Sequence, residues 1–367
     1  MGNLETLEKL FADGGIDLRR GALFDYALGP MPESLDFDRV EGMLLGLAVG
    51  DALGNTTEGW LPGSRRARYG EIRGYLPNEH AGNKAIGLPS DDTQLAFWTL
   101  EQMLEDGGLN PENLTRRFCS GRIYGIGSAV KQFVSNFEDG LPWYECGIQS
   151  AGNGSLMRIA PVLLPHLRKG GRELWSDVAL AAMVTHNDSA AISACLSFVH
   201  LLWKALASPE PPAAEWWLEE YTRVAQDLED GEYCSRSPFY GHFRGPLWRF
   251  VEEAVGEAWR RGLPTVDACN RWYSGAYLLE TVPSVIYILM RHGHDLEEAI
   301  VRAVNDAKDN DTVAAIVGAA VGAVYGRRAI PDRWLRGLLG QTRDADEGRV
   351  FQLVDEAREA WWSSGAP

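Results

Sequence analysis

The sequence predicts an all-α fold, on three observations: glycines four residues apart in two apolar segments, helical spacing of apolar residues through most of the remainder, and no run of alternating strand residues. Residues 42–54 (GMLLGLAVGDALG) put Gly42, Gly46, Gly50 and Gly54 down one helical face. Gly318 and Gly322 repeat the device within 313–325 (VAAIVGAAVGAVY), the longest apolar stretch, which falls short of the roughly 20 residues that a membrane span needs. Glycine inside a helix costs about 1 kcal/mol relative to alanine, so such stripes imply backbones in close approach at a buried helix crossing.

Along the chain, a short amphipathic stretch at 4–12 precedes a segment without periodicity, so residues 1–38 read as an extension ahead of a single helical domain at 39–362. Helical spacing recurs at 92–105, 111–118, 174–184, 189–206, 213–228, 246–260, 280–291, 296–305 and 348–362. Clusters of Pro, Gly and polar residues at 29–34, 61–66, 77–90, 138–154, 208–213 and 231–246 mark loops. Two of them are long and polar, and long loops in a compact domain tend to carry function. Segment 77–90 leads into an acidic pair, and segment 138–154 ends in the glycine-rich AGNGS.

The chain has 367 residues, 45% of them hydrophobic, and a formal charge of −16. That balance argues against a nucleic-acid or anionic-membrane partner, both of which need concentrated Lys and Arg. Five scattered cysteines without a C-x-x-C pair fit a reducing compartment and no zinc knuckle. The N-terminus lacks the apolar core of a secretory signal, so the expected address is the cytoplasm. A monomer is the expected state.

Ser90-Asp91-Asp92-Thr93 opens a helical run, where Ser and Asp serve as caps and favour the positive end of the dipole. Asp309-Asn310-Asp311-Thr312 opens another, ahead of a helix too apolar to solvate two carboxylates. One cap needs one carboxylate; two loops that each offer carboxylates and a hydroxyl make a hard-oxygen site for about two ions of the Mg²⁺ or Mn²⁺ kind. Asp51 reads as a helix-end hydrogen-bond acceptor, and Glu58 follows it. Gly152-Asn153-Gly154-Ser155 offers closely spaced N–H groups for a phosphate or an ordinary turn, and His186 reads equally as a structural residue.

Taken in order, the segments RVEGMLLGLAVGDALGNTTE (39–58), SDDTQLA (90–96), GIGSA (125–129), AGNGSLMRIAP (151–161), THND (185–188), SGAYLLETVP (274–283) and DNDTVAAIVGAAVGA (309–323) resemble the ADP-ribosylglycohydrolase family. The resemblance implies a compact, orthogonally packed helical bundle with two metal ions in a central cleft. It implies Ser90, Asp91 and Asp92 on one side of the metal pair and Asp309, Asp311 and Thr312 on the other, with Asp311 as a bridge. It also implies a mobile Glu58 near metal or substrate, Gly152, Asn153, Gly154 and Ser155 against the diphosphate and distal ribose, and His186 beside the ADP-ribose. Ala307-Lys308 departs from the Gly-Gly that family members often carry before the last motif, and Ser90 replaces a threonine.

The expected function is hydrolysis of an ADP-ribosyl bond to an acceptor, arginine on protein before other linkages, with reversal or countering of an ADP-ribosylating toxin or regulator as the role this would serve. Such a bond breaks through an oxocarbenium-like state, with water activated at the metal pair by Asp92 or Glu58. The partners expected are an ADP-ribosylated protein or an ADP-ribose-containing small molecule, and a toxin that residues 1–38 would engage if they form an arm rather than pack on the chain itself. A catalytically inactive ADP-ribose-binding or structural protein on the same fold is the alternative. An isoprenoid synthase would want an acid at position 95, where this chain has Leu95.

Overall fold

The computed structural model describes residues 2–363 and is built from helices with only two two-residue strand pairs, Pro77–Asn78 with Lys84–Ala85 and Tyr233–Cys234 with Arg244–Gly245. In chain order the helices are α1 (Asn3–Asp13), α2 (Asp38–Gly54), α3 (Pro62–Tyr69), α4 (Asp91–Asp106), α5 (Pro111–Phe118), α6 (Ser128–Glu138), α7 (Trp143–Cys146), α8 (Glu173–Met183), α9 (Ser189–Ala207), α10 (Trp216–Leu228), α11 (Leu247–Arg260), α12 (Thr265–Trp272), α13 (Leu278–His292), α14 (Leu296–Asp306), α15 (Asn310–Tyr325), α16 (Asp332–Gly337) and α17 (Arg349–Arg358). Every helix expected from periodicity is present, with ends moved by a few residues, and α17 continues into a π turn at Glu359–Ser363.

Five helices were not legible: α3, α6, α7, α12 and α16. Residues 61–66, expected as a loop, start α3 because Pro62 takes the first helical position, where its missing N–H costs nothing. Helices α6 and α12 open after Gly127 and Pro264 without a side-chain N-cap to mark their starts, and α7 and α16, of 4 and 6 residues, span too few turns for periodicity to show. The longest apolar helix is α9, although 313–325 is the longer unbroken apolar run. Ser189–Ala207 is long and apolar enough to cross a membrane by length and composition, but 89% of its apolar window is buried inside the fold, so it is a core helix.

The glycine stripes do what their spacing demands. Helices α2 and α15 run antiparallel with their backbones in contact, both almost wholly buried. A methyl group added at Gly50 would lie 2.0 Å from the carbonyl oxygen of Ala314, and one at Gly46 2.2 Å from that of Gly318. At the end of the seam, a methyl on Gly54 would meet Cα of Asp311 at 2.4 Å. The stripe therefore sets the first turn of α15, with its acidic residues, directly against the end of α2.

The described part of the 1–38 segment, which leaves out Met1, packs on the chain's own core. Leu7, Leu10, Phe24, Leu28 and Met31 are buried, and α1 lies on α8. Phe11 meets Phe24 edge-on at 5.3 Å, and the Asn3 amide donates to Asp177 Oδ1 at 2.7 Å. Burying a large apolar side chain contributes roughly 1.5–3 kcal/mol. Removal of residues 1–37 is thus expected to lower the melting temperature sharply or leave the protein insoluble. A truncated protein that melts with the full chain would show that this packing does not hold the fold.

Candidate functional site

Asp51, one turn before the end of α2, is fully buried and does not cap its own helix. Its carboxylate instead accepts from the backbone N–H of Ser90 and of Thr93, each at 3.0 Å, and from the Thr93 hydroxyl at 2.5 Å. It is a helix-end acceptor, but for α4, and it fixes the SDDT turn against α2. Ser90 is the N-cap of α4: its Oγ accepts from the Asp92 N–H at 3.2 Å and donates to Asp92 Oδ2 at 2.8 Å. Thr312 donates to the same Oδ2 at 3.2 Å, which joins the two acidic turns. Asp92 Oδ1 is buried and has no hydrogen-bond partner among the described residues.

On the other side, Asp309 stands at the N-cap of α15 without capping it; its carboxylate receives the Asn153 amide at 2.6 Å. Asp311 sits in the first helical turn and accepts from the Thr312 N–H at 2.9 Å. Carboxylate oxygens of Asp51, Asp92 and Asp311 lie within 4.8 Å of one another, and so do those of Glu58, Asp309 and Asp311. Asp311 belongs to both groups. Burial and then the neighbouring carboxylates hold Asp91, Asp92 and Asp311 well above the usual carboxylate range. Burial pushes Asp309 up to about 7 and Asp51 to about 6. Glu58, at the open mouth of the cleft, is raised by partial desolvation.

A set of buried carboxylates crowded this closely, one with an orphaned oxygen, fits a hard divalent ion, since bound positive charge is a direct remedy for buried negative charge. The pH dependence follows. Unfolded carboxyls titrate near about 4, so each raised group makes the fold bind extra protons, and its stabilising contribution is complete in acid and lost as pH rises through the folded value. Without divalent cations the melting temperature should fall between about pH 5 and about pH 8, the window of Asp51 and Asp309. Millimolar Mg²⁺ should restore it mainly at the upper end. A melting temperature flat in pH, or insensitive to Mg²⁺ at pH 8, would remove the crowding argument.

Arg65 is the largest omission from the sequence reading. It is fully buried on α3 and donates to the carbonyls of Val304 and Ala307, both at 2.8 Å, and of Trp60 at 3.0 Å. It thereby clamps the turn before Asp309 to the segment after Glu58. No pattern marked it, because an arginine at the edge of a predicted loop reads as solvated. Lys308, the departure from Gly-Gly, is exposed; its backbone N–H is held by Ser274, and its side chain lines a neighbouring pocket with Arg236 and Glu280.

A cavity of about 450 Å³ leads from Glu58, Asp91, Asp92, Asp309, Asp311 and Thr312 to Gly152, Asn153, Gly154 and His186, a size suited to a small-molecule ligand. Gly152 and Gly154 form a floor without side chains under the imidazole: a methyl on Gly154 would lie 2.9 Å from His186 Cε1. The expected cradle of N–H groups is partly spent, since Gly152 donates to Ser150 Oγ and Asn153 to the Ala276 carbonyl. The Asn153 side chain serves Asp309 and Thr281 rather than the cavity. Ser155 is fully buried against Cys195 and contributes no surface to the cavity. Arg236, unmarked in the sequence, lines the cavity beside Tyr277, with its guanidinium 4.7 Å over that ring and paired to Glu280 at 2.8 Å.

Over residues 31–365 the chain matches the sequence profile of the ADP-ribosylglycohydrolases. A protein of Archaeoglobus fulgidus described only as uncharacterized is 31% identical over 82% of this chain and 92% of its own length. The "ADP-ribosylarginine hydrolase Tri1" of Pseudomonas putida is 26% identical over 81% of this chain and 73% of its own length. Among solved structures, a chain of an "ADP-ribosylglycohydrolase-related protein complex" superposes with a TM-score of 0.65 at 29% identity, covering 88% of this chain and 97% of that one.

Proposed function

Since the chain belongs to the ADP-ribosylglycohydrolase family and is a hydrolase of ADP-ribosyl bonds, we propose that its acceptor is an arginine side chain on protein and its cofactor a pair of Mg²⁺ or Mn²⁺ ions. The observation that carries the metal reading is the convergence of the two acidic turns on Asp311, with the orphaned Asp92 Oδ1 beside them. Arginine is favoured by the name of the Pseudomonas relative. The protein restored would be one modified by an ADP-ribosylating toxin or regulator.

Ser90, Asp91 and Asp92 would hold one side of the ion pair and Asp309, Asp311 and Thr312 the other. Bound there, the ions would supply charge stabilisation at the breaking glycosidic bond and a lower pKa for water. Ser90 and Thr312 fix Asp92 by its Oδ2, so that Oδ1 keeps one direction. Asn153 and Arg65 hold Asp309 and its turn in register with Asp92. Glu58 combines an open position with a raised pKa, which suits a group that takes a proton from water and passes one to the leaving nitrogen. The diphosphate would lie along the Gly152–Gly154 floor beside His186, within reach of Arg236.

Incubation with arginine-linked and serine-linked ADP-ribosylated proteins, with and without Mg²⁺, tests the reading. Metal-dependent release of ADP-ribose from the arginine substrate is expected. Release from serine alone would move the acceptor. Release from neither, with ADP-ribose still bound, would identify an inactive binding protein.

A further inference from the structure

Arg158, at the end of the AGNGSLMR segment, is fully buried, and a buried guanidinium is costly unless its donors are satisfied. Its Nε and one terminal nitrogen have no partner among the described residues. The remaining nitrogen donates to the Ala181 carbonyl and to Thr185 Oγ1, both at 2.9 Å, while the guanidinium lies 4.7 Å over Phe118. Stability does not account for such a residue, since an apolar side chain of like volume would fill the site without the desolvation cost.

Its second neighbour points to another role. Thr185 Oγ1 is 2.8 Å from Nδ1 of His186, whose ring lines the cavity and whose Nε2 would lie 3.3 Å from a methyl placed on Gly154. Arginine has only donors, so Thr185 accepts from Arg158 and is left with one hydrogen to place. Given to Nδ1, that hydrogen makes Nδ1 an acceptor and puts the imidazole proton on Nε2. Were Nδ1 protonated instead, Thr185 would receive two donors and its own hydrogen would have no acceptor in a fully buried place, at the cost of an unmade bond.

We propose that Arg158, acting through Thr185, locks His186 as the neutral Nε2–H tautomer, so that the cavity presents a fixed hydrogen-bond donor to a phosphoryl oxygen of the bound ligand. The identity of that oxygen rests on the ADP-ribosyl reading above; the tautomer does not. Independently, burial and the Arg158 charge push the His186 pKa down to about 3, which keeps the ring neutral. Arg158 is a positioning residue. A neutral donor over a floor without side chains suits a diphosphate drawn in beside carboxylates, because it adds attraction for oxygen without neutralising the metal ligands.

Nitrogen-15 spectra of the histidine-labelled full chain, with the His186 signals assigned by their loss in His186→Asn, read the tautomer directly. The expected result is a protonated Nε2 and an unprotonated Nδ1 in the unliganded protein. In Arg158→Met, Thr185 becomes able to accept from the ring, and an Nδ1–H population should appear. Binding of ADP-ribose and of ADP, measured with Mg²⁺, should weaken by roughly tenfold for both ligands, the loss expected of one hydrogen bond to a charged group. Should Arg158→Met not fold, Thr185→Val carries the same binding test, with Thr185→Ser expected to bind as the wild type does. An Nδ1–H tautomer in the wild type, or wild-type binding by Thr185→Val, overturns the relay, and a loss confined to ADP-ribose overturns the phosphoryl contact. A wild type with the expected tautomer that binds neither ligand supports the relay and overturns the ADP-ribosyl reading.

Discussion

Asp311→Asn is expected to lower hydrolysis by about a thousandfold, the loss that follows from several kcal/mol of charge stabilisation. Asp311 contributes an oxygen to both carboxylate groups, so its replacement weakens each, whereas Asp309→Asn touches one and should cost less. The fold should survive the change. Asparagine keeps the volume and the Oδ1 that accepts from the Thr312 N–H, and it removes one charge from a crowded set. Without metal the variant should melt at or above the wild-type temperature, while the rise produced by Mg²⁺ should largely disappear. Near-normal turnover in saturating Mg²⁺ would refute the placement of the metal pair.

The largest loss of stability is expected from Gly50→Ala. A methyl group there meets the Ala314 carbonyl oxygen at 2.0 Å and its carbon at 2.4 Å, both backbone atoms of a helix that is buried along its length. No rotamer relieves this contact, so the two helices must separate, at a cost of about 3 kcal/mol or more by the measure of overpacked cores. Gly63→Ala is the control, since a methyl group there meets nothing within 4 Å. It sits inside α3, where exchange for alanine is worth a gain of up to about 1 kcal/mol. The contrast is read by thermal or urea unfolding. A Gly50→Ala protein that unfolds with the wild type would mean that the seam is not closed in solution.

Many helices were legible because burial and periodicity coincide: α10, α11 and α14 bury one face, and that face shows in the sequence itself. The stripe of glycines was legible for the opposite reason, as a local cost with no local compensation. The acidic turns could be located, and so could Ser90 as a cap. What could not be read was which polar group answers which. Asp51 reaches across to α4 rather than serving its own helix, and Asn153 spends its amide on Asp309 instead of a phosphate. Arg65 reaches Val304 and Ala307, Arg158 reaches Ala181, and Arg236 reaches Glu280, each across 23 or more residues of sequence, a distance at which no periodic signal survives.

The antiparallel seam pairs Gly42 with Gly322, Gly46 with Gly318, Gly50 with Ala314 and Gly54 with Asp311. One residue inserted into either helix would turn everything beyond it by about 100° and advance it by about 1.5 Å. Side chains would enter the seam, and Asp51 or Asp311 would rotate away from its counterpart. The intervals from Gly42 to Asp51 and from Asp311 to Gly322 are therefore stretches whose length cannot drift, whatever happens to the identity of their apolar residues. Lineages of this chain should accumulate insertions and deletions in connections such as 208–215 and 231–246, and keep these two counts constant.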